Sequence, residues 1–369
     1  MRTITLEEHY ATPTFMDGPG RQIKEQAEAV RAHPEVAAGL SRLIDQLCDI
    51  GEGRIANMDA AGIDVQVLSL TAPGVEQLDA AEAVPFARVT NDTLAEAVHR
   101  HPDRLAGFAA LPTAEPDAAA DELRRTVATH GFTGALINGH SRGRYLDDKF
   151  FWPILECAEA LQVPLYLHPT PPPQAVIKSM YAGNYPAEVA GALATGAWGW
   201  HIDTAMHVIR LILSGAFDHY PGLQLVIGHL GETLPFMLPR LERALPTELT
   251  RLDRPIGAYL RENVHYTFSG FNWTPAFLDL LLQVGADRIM FSTDYPYASM
   301  TEARAFLDRL PLSPAEKETN RSRQRGAAAT TLISERRKRR WVQSPGERQA
   351  ATPNLGRFAS PRHAVISYR

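Results

Sequence analysis

Cysteine is scarce in this sequence, and the two residues present, Cys48 and Cys157, lie far apart and form no motif. Their number excludes a disulfide framework and predicts a protein of the reducing cytoplasm. Long apolar runs are also missing, because none approaches the roughly 18 residues that a membrane-spanning helix needs. The first residues contain no apolar segment of the kind found in secretory signals. These absences predict a cytoplasmic chain without a membrane partner.

The composition is that of an ordinary globular enzyme, with 45% hydrophobic and 21% charged residues and a net charge of −5. This overall charge predicts no nucleic-acid partner. The charge is uneven, because residues 321–369 carry 12 Lys and Arg against 2 Asp and Glu. That segment also lacks apolar periodicity, which predicts a disordered basic tail after a single domain at residues 1–320. A patch for nucleic acid or a membrane surface is the alternative for the tail, and only composition favours it.

Eight short apolar runs alternate with helical patterns along the first 310 residues. The runs lie at residues 3–6, 65–70, 105–111, 134–137, 163–167, 223–227, 264–269 and 288–292. Eight alternating units predict parallel strands joined by helices, which is the α/β fold known as the (β/α)8 TIM barrel. Residues 11–57 and 169–196 exceed ordinary connections and are predicted to be insertion loops. A doubly wound open sheet is the alternative, but no Gly-x-Gly-x-x-Gly turn follows an early strand.

Side chains that can bind a metal ion follow several of the predicted strands. Glu7 and His9 end the first strand, His168 ends the fifth, and Asp294 follows the eighth. The carboxyl ends of barrel strands meet at one opening, where two nitrogens and two carboxylates would form a site for a divalent metal ion. Side chains two apart on a strand share a face, so Glu7 and His9 should face the metal and Glu8 the barrel wall.

Each of these positions also has an ordinary structural explanation. Glu7 and His9 fit a polar strand end that makes surface hydrogen bonds, and His168 fits a structural histidine. Asp294 fits a turn or a helix N-cap. The coincidence of all four with strand ends favours metal ligation.

Further polar residues lie after the fifth and sixth strands. His229 and Glu232 occupy a strand-to-helix turn, where Glu232 would favour a helix N-terminus even without a catalytic role. Function is the favoured interpretation of that pair. His201 and Asp203 follow two tryptophans in the long segment after the fifth strand, and we expect packing or surface roles for them rather than pocket lining.

Several segments resemble one enzyme family. The segments "TLEEHY", "FAALP", "GALINGH" and "DRIMFSTDYPY" are similar to those of amidohydrolase-related aromatic-acid decarboxylases. The resemblance covers roughly residues 3–310. The enzymes it indicates are close to γ-resorcylate and 2,3-dihydroxybenzoate decarboxylases and share a superfamily with aminocarboxymuconate semialdehyde decarboxylase. It implies an amidohydrolase-like barrel that is a metal-dependent, non-oxidative decarboxylase and assembles as a homodimer or homotetramer.

The resemblance also implies roles for individual residues by motif position. The implied metal ligands are Glu7, His9, His168 and Asp294, the implied catalytic pair is His229 and Glu232, and the implied substrate-binding residue is Arg240. Asp294 is in addition the implied proton donor. A surface ion pair is the alternative for Arg240, because other charged residues surround it on its predicted helix. The sequence departs from the family at its end, where "ETNRSRQRGAAATTLI" replaces the usual closing helix.

The predicted reaction avoids an aryl carbanion, which is too unstable to form directly. An ortho-hydroxyl group allows the carboxyl-bearing carbon to be protonated first, and CO2 then leaves as the ring regains aromaticity. This chemistry needs a Lewis acid and a nearby acid group. We therefore expect a small aromatic carboxylic acid as substrate, one Zn2+ or Mn2+ ion with Mg2+ as a further possibility, and no organic cofactor.

Two other functions remain open from the sequence. A hydrolase of the same superfamily would act on a lactone or a C–C bond through metal-bound water. A second metal or a modified lysine after strand four would favour it, but that strand ends in Ile137-Asn138-Gly139. A non-catalytic binding protein would have no need for the complete set of candidate site residues.

Overall fold

The computed structural model describes residues 2–29 and 34–312 of the chain. The predicted tail at residues 321–369 lies outside this range, so its disorder and the domain boundary at residue 320 stay predictions. The strands are β1 (Ile4–Tyr10), β2 (Val65–Leu70), β3 (Leu105–Gly107), β4 (Ala109–Ala110), β5 (Ala135–Asn138), β6 (Leu165–His168), β7 (Leu225–Ile227), β8 (Val264–Thr267) and β9 (Ile289–Met290).

Helices follow or precede every strand. They are α1 (Pro13–Asp17), α2 (Arg21–Ala29), α3 (Pro34–Cys48), α4 (Glu52–Ala61), α5 (Ala80–Arg100), α6 (Pro116–Arg125), α7 (Trp152–Leu161), α8 (Gln174–Val176), α9 (Ala187–Ala194), α10 (Gly199–Leu213), α11 (Ala216–His219), α12 (Leu234–Ala244), α13 (Thr247–Thr250), α14 (Ile256–Glu262), α15 (Thr274–Val284) and α16 (Met300–Arg309). Short 3-10 or π-helical turns lie at Thr126–His130, Lys149–Phe151, Ile177–Tyr181, His229–Gly231 and Ala286–Arg288. None of the described helices is both long and apolar enough to cross a membrane.

The strands pair in parallel and in chain order, as β1-β2-β3 and β4 through β9. Phe108 separates β3 from β4 but donates its backbone N–H to Leu68 at 2.9 Å, so the two short strands occupy one position of the barrel. The backbone N–H of His9 donates to the carbonyl of Tyr295 at 2.7 Å, which joins the first strand to the end of the last. The predicted (β/α)8 barrel is therefore confirmed.

Apolar side chains fill the inside of the barrel. The inward cluster consists of Leu6, Val67, Ala106, Phe108, Leu136, Tyr166, Val226 and Met290. A larger apolar core lies between the strands and the surrounding helices. Full burial of such a side chain contributes about 1.5–3 kcal/mol, against about 1 kcal/mol for a typical hydrogen bond. Packing therefore stabilises the barrel and leaves the carboxyl-end opening for polar groups.

A bulge in β1 sets the directions of the residues at the opening. Leu6 pairs with Val67 and Glu8 with Leu68, so Glu7 is an extra residue, and its φ of 65° is left-handed. This extra residue lets Leu6 face the barrel interior, Glu7 the opening and Glu8 the wall. The directions of Glu7 and Glu8 agree with the prediction, but the regular strand from which they were predicted is not present.

The segment after β6 differs from the prediction of a loop without secondary structure. It contains α8, a π-helical turn and α9, and then leads directly into α10. Pro173 and Pro186 precede α8 and α9. Proline fits there because an N–H group at a helix start has no acceptor within the helix, so its absence costs nothing. Apolar periodicity did not predict these helices, because they are short and the segment is rich in glycine and proline.

Buried His207 should give the fold a specific pH dependence. Its Nε2 accepts the backbone N–H of Leu146 at 2.8 Å, and burial lowers its pKa from 6.5 to about 3. Between these values the unfolded chain binds a proton that the folded chain excludes, so stability falls as pH falls, by up to about 1.4 kcal/mol per pH unit. His207→Gln keeps a hydrogen-bond acceptor at this position. In denaturant unfolding from pH 7 to pH 4, its free energy of unfolding should fall less steeply with decreasing pH than that of wild type. The same change at exposed His219 should keep the wild-type slope, and equal slopes for all three proteins would contradict this.

Candidate active site and metal centre

Four buried or half-buried side chains meet at the carboxyl ends of the strands. Glu7 and His9 come from β1, His168 ends β6, and Asp294 follows β9. Each offers one nitrogen or oxygen atom, and these atoms all lie within 4.8 Å of one another. The structure thus gathers the four residues proposed from the sequence as metal ligands, from positions up to 287 residues apart along the chain.

The contacts inside this cluster point to a shared centre rather than to mutual hydrogen bonds. His9 Nε2 lies 3.1 Å from Asp294 Oδ1, and His168 Nε2 lies 3.5 Å from Glu7 Oε1. Among the described residues, neither His9 nitrogen nor Glu7 Oε1 has a hydrogen-bond partner, although all three atoms are buried. Buried polar atoms are seldom left unpaired. Two imidazoles and two carboxylates in this arrangement fit a divalent ion such as Zn2+ or Mn2+.

Neighbouring groups fix the orientation of these side chains. His168 Nδ1 lies 3.0 Å from Asn138 Oδ1, which accepts its proton and leaves Nε2 as the free ligand atom. Glu7 Oε2 accepts hydrogen bonds from the hydroxyl groups of Tyr166, Thr267 and Ser269. One oxygen of Glu7 is therefore anchored, and the other is available to a cation.

Electrostatics also favour a cation here. Burial raises the pKa of Glu7 to about 8, against the lowering effect of His229, and the charge of Asp294 raises it further. Burial and the neighbouring imidazoles lower the pKa of His168, so its ring stays neutral. A divalent ion would offset the cost of a buried carboxylate, and neutral histidine is the form that binds metal.

A second cluster lies beside the first and consists of His229, Glu232 and His201. His229 Nδ1 lies 2.7 Å from Glu232 Oε1, and His201 Nδ1 lies 2.6 Å from Glu232 Oε2. Burial alone would lower the pKa of His229, but the charges of Glu232 and Glu7 outweigh it and raise that pKa to about 10. The ion pair with Glu232 therefore favours the protonated imidazole, with Nε2 left to donate to an anionic group.

The backbone is unusual where these side chains are held. Positive φ angles occur at Glu7, His229, Leu230, Glu232, Thr233, Ser269 and Asp294. Such angles cost residues other than glycine on the order of 1–3 kcal/mol each and persist only where surrounding contacts enforce them. Strain concentrated at the strand ends is typical of a functional site.

Glu8 supplies one of these enforcing contacts. Its carboxylate accepts the backbone N–H groups of Thr293 at 2.9 Å and Tyr295 at 3.2 Å, which flank Asp294. It also accepts the Thr293 hydroxyl at 2.6 Å. Glu8 therefore fixes the last strand end against the first, so that Asp294 meets Glu7 and His9.

One residue is placed differently from expectation. His201 is buried and bonded to Glu232, whereas the sequence favoured a packing or surface role for it. Its position after a tryptophan-rich turn gave no signal of that contact. Arg240 is exposed on α12 and is not part of either cluster in this chain. Its predicted substrate contact stays a prediction.

Gly228 offers a steric test of the metal centre. Its φ of −84° suits alanine, but an added Cβ would lie 2.8 Å from both carboxylate oxygens of Glu7. Gly228→Ala should displace that carboxylate and weaken Mn2+ binding about tenfold, as changes beside metal ligands do. Gly191 on α9 has nothing within 4 Å of its added Cβ, so Gly191→Ala is the matched control. Titration against a chromophoric chelator measures both, and unchanged affinity in Gly228→Ala would place the ion elsewhere.

A closed parallel barrel with an N2O2 cluster at its carboxyl-end opening is the arrangement of barrel enzymes that bind a metal ion at that end. The chain matches the family model described as Amidohydrolase over residues 30–319. It belongs to the amidohydrolase family.

Within the amidohydrolase family, the chain is similar to enzymes that decarboxylate aromatic acids. The chain is 37% identical over 327 residues to γ-resorcylate decarboxylase of Polaromonas sp. strain JS666, which covers 85% of this chain and 94% of the relative. It is 36% identical, with a TM-score of 0.79, to a dihydroxybenzoic acid decarboxylase from Polaromonas sp. JS666 with bound manganese and 2-nitroresorcinol, over 91% of this chain and 97% of that one. It is 34% identical, with a TM-score of 0.80, to manganese-bound 5-carboxyvanillate decarboxylase of Novosphingobium aromaticivorans, over 89% and 96%. These findings confirm the resemblance to aromatic-acid decarboxylases, which are carboxy-lyases.

Proposed function

We propose that this chain is a metal-dependent, non-oxidative decarboxylase of a hydroxylated benzoate-type acid. The observation that carries the proposal is the pair of adjacent clusters at the carboxyl ends of the barrel strands, one suited to a cation and the other holding a histidine paired with a buried carboxylate. Relatives that act on dihydroxybenzoates at 36–37% identity support the substrate class.

The metal would be held by Glu7, His9, His168 and Asp294, and when bound it would supply positive charge that stabilises an ortho oxyanion and the carboxylate. We propose Mn2+ or Zn2+, with Mg2+ less suited because two ligands are imidazoles. Manganese in two related structures supports Mn2+ first. No organic cofactor is needed for the proposed chemistry.

The chain's own residues would move the proton and orient the substrate. Asp294 belongs to the cluster, and with its side chain 17% exposed it can reach a bound substrate and give a proton to the carboxyl-bearing carbon. His229, held by Glu232, would donate from Nε2 to a substrate oxygen. Loss of CO2 returns the electron pair of the broken C–C bond to the ring, which restores aromaticity.

Aromatic side chains next to both clusters suit a planar substrate. The ring of Tyr297 lies 5.4 Å from that of His9, and the ring of Phe271 lies 5.3 Å from that of His229, between centroids. Both side chains are partly exposed, at 45% and 41%. Offset or edge contacts with such rings stabilise a bound aromatic ring by about 0.5–1.5 kcal/mol.

The decisive experiment uses purified enzyme loaded with one metal at a time. We expect CO2 release from at least one ortho-hydroxybenzoate, no release from the para-hydroxy isomer, and carboxylation of the phenol product in high bicarbonate. Chelation should abolish turnover, and Mn2+ should restore it. Metal-replete enzyme that decarboxylates no ortho-hydroxybenzoate but opens a lactone would instead support the hydrolase.

We also propose a homodimer or homotetramer in the cytoplasm. Large apolar side chains are exposed on α12 and α15, two helices that pack against each other, among them Phe236 at 76% and Leu282 at 85% exposed. Clustered exposed apolar side chains are typical of a surface covered by another subunit, which favours an interface that includes these helices. Cys48 and Cys157 are free thiols, as expected in a reducing compartment. Light scattering of the full chain tests the assembly.

A further inference from the structure

The role of His201 is explained neither by metal binding nor by the proposed catalytic role of His229 and Glu232. It lies near the start of α10 and is 7% exposed. Its ring centroid is 4.6 Å from that of His229 and 5.2 Å from that of Phe271. A polar ring buried at this point needs partners for both nitrogens.

The partners of His201 decide which nitrogen carries the proton towards Glu232. Its Nε2 lies 3.0 Å from the indole Nε1 of Trp200, which can only donate, and 3.1 Å from the carbonyl oxygen of Gly196, which can only accept. A neutral ring that accepts from Trp200 has its proton on Nδ1, and a cationic ring that donates to Gly196 has protons on both nitrogens. In either state Nδ1–H donates to Glu232 Oε2, at 2.6 Å.

This contact gives the Glu232 carboxylate its second imidazole hydrogen-bond donor. Oε1 accepts from His229 and Oε2 from His201, so each oxygen has one imidazole donor. Without His201, one oxygen of a fully buried carboxylate would lose its donor, and the side chain would be free to rotate about its last bond. Burial alone would raise the pKa of Glu232, but the charge of His229 and then the hydrogen bond from His201 lower it below its usual value.

The other side of His201 faces the insertion between β6 and α10. Gly196 lies just after α9, and Trp200 is the second residue of α10, so the contacts of Nε2 are at the end of that segment. One imidazole therefore connects the insertion to the candidate catalytic pair.

We propose that His201 is a positioning residue, which holds Glu232 in the rotamer that orients His229 towards the substrate and couples this pair to residues 187–200. Its kinetic consequence rests on the proposed decarboxylase function, whereas its hydrogen bonds do not. Asparagine places an amide N–H close to the position of imidazole Nδ1, and glutamine places its amide near Nε2. These two replacements therefore separate the contact to Glu232 from the contact to the insertion.

The kinetic test compares Mn2+-loaded His201→Ala, His201→Gln and His201→Asn with wild type. We expect kcat to fall about tenfold or more in the alanine and glutamine variants, with a smaller change in KM, and His201→Asn to recover most of the loss. Mn2+ affinity should equal that of wild type in all three. Met206→Ala, on the exposed side of the same helix, is the matched control and should keep wild-type kinetics. Wild-type kcat in His201→Ala, recovery by glutamine instead of asparagine, or a parallel loss of Mn2+ affinity would each overturn the proposal.

A second measurement does not depend on turnover. Long-range proton–nitrogen NMR of histidine-labelled enzyme, with His201→Asn to assign the signal, should show a protonated Nδ1 at His201. An unprotonated Nδ1 would overturn the proposal even in an active enzyme. If wild type decarboxylates no substrate while Nδ1 is protonated, the proposed function fails and the positioning contact stands.

Discussion

Asp294→Asn is expected to lower kcat by about 10³-fold, because asparagine keeps the size and a ligand oxygen of the side chain but cannot transfer a proton. General acid catalysis contributes about 10²–10⁴-fold in enzymes, and ring protonation is the step that the proposed reaction cannot avoid. Asp294 Oδ1 lies 3.1 Å from His9 Nε2, so the amide oxygen can occupy the same position. Steady-state kinetics and Mn2+ titration of the same preparations measure both properties.

The two measurements separate proton transfer from metal binding. We expect Mn2+ affinity to fall far less than kcat, and an aromatic inhibitor to bind as it does to wild type. Asp308→Asn is the matched control, because its carboxylate pairs with Arg304 on the surface of α16 and is 48% exposed. A loss of activity fully explained by lost metal would make Asp294 a ligand only, and near-normal turnover would exclude it as the proton donor.

The sequence predicted the frame of this site well because a barrel converts chain order into position. Strand ends at residues 9, 168 and 294 had to meet at one opening once the strands were parallel and eight in number. Side-chain chemistry at those ends then indicated a divalent cation. That inference needed no knowledge of the contacts between Asp294 and His9.

The details that the sequence did not reveal depend on local irregularity. The left-handed backbone of Glu7 follows from no residue preference, since glutamate disfavours it; the hydrogen bonds from Tyr166, Thr267 and Ser269 hold that carboxylate in place. His201 is 31 residues from Glu232 along the chain, with most of α10, α11 and β7 between them, and no periodicity links them. Contacts of this kind come from tertiary packing, which overrides local propensity.

Glu7→Gln and Glu8→Gln should affect different properties, although the two acids are neighbours: the first should weaken metal binding and the second should lower the stability of the fold. Glu7→Gln should weaken Mn2+ binding by at least about 100-fold and abolish turnover, because the three hydroxyl donors at Oε2 would hold the amide oxygen and leave the NH2 group, which cannot bind a cation, on the metal side. The metal-free protein should lose little stability. Burial raises the pKa of Glu7 to about 8, so the ionised side chain is already costly to fold.

Glu8→Gln should instead destabilise the metal-free fold by roughly 3 kcal/mol. Glu8 Oε2 accepts from the Thr293 hydroxyl at 2.6 Å, from the Tyr295 N–H at 3.2 Å and from the Gln66 amide at 3.2 Å. An amide group in that position would place a donor against three donors, or leave the Thr293 N–H unpaired if the group rotated. Thermal melting of both metal-free variants beside their Mn2+ titrations distinguishes the roles, because bound metal would otherwise raise the apparent stability of wild type and Glu8→Gln but not that of Glu7→Gln. If both variants lost metal affinity with equal melting temperatures, Glu8 would not hold the last strand end against the first.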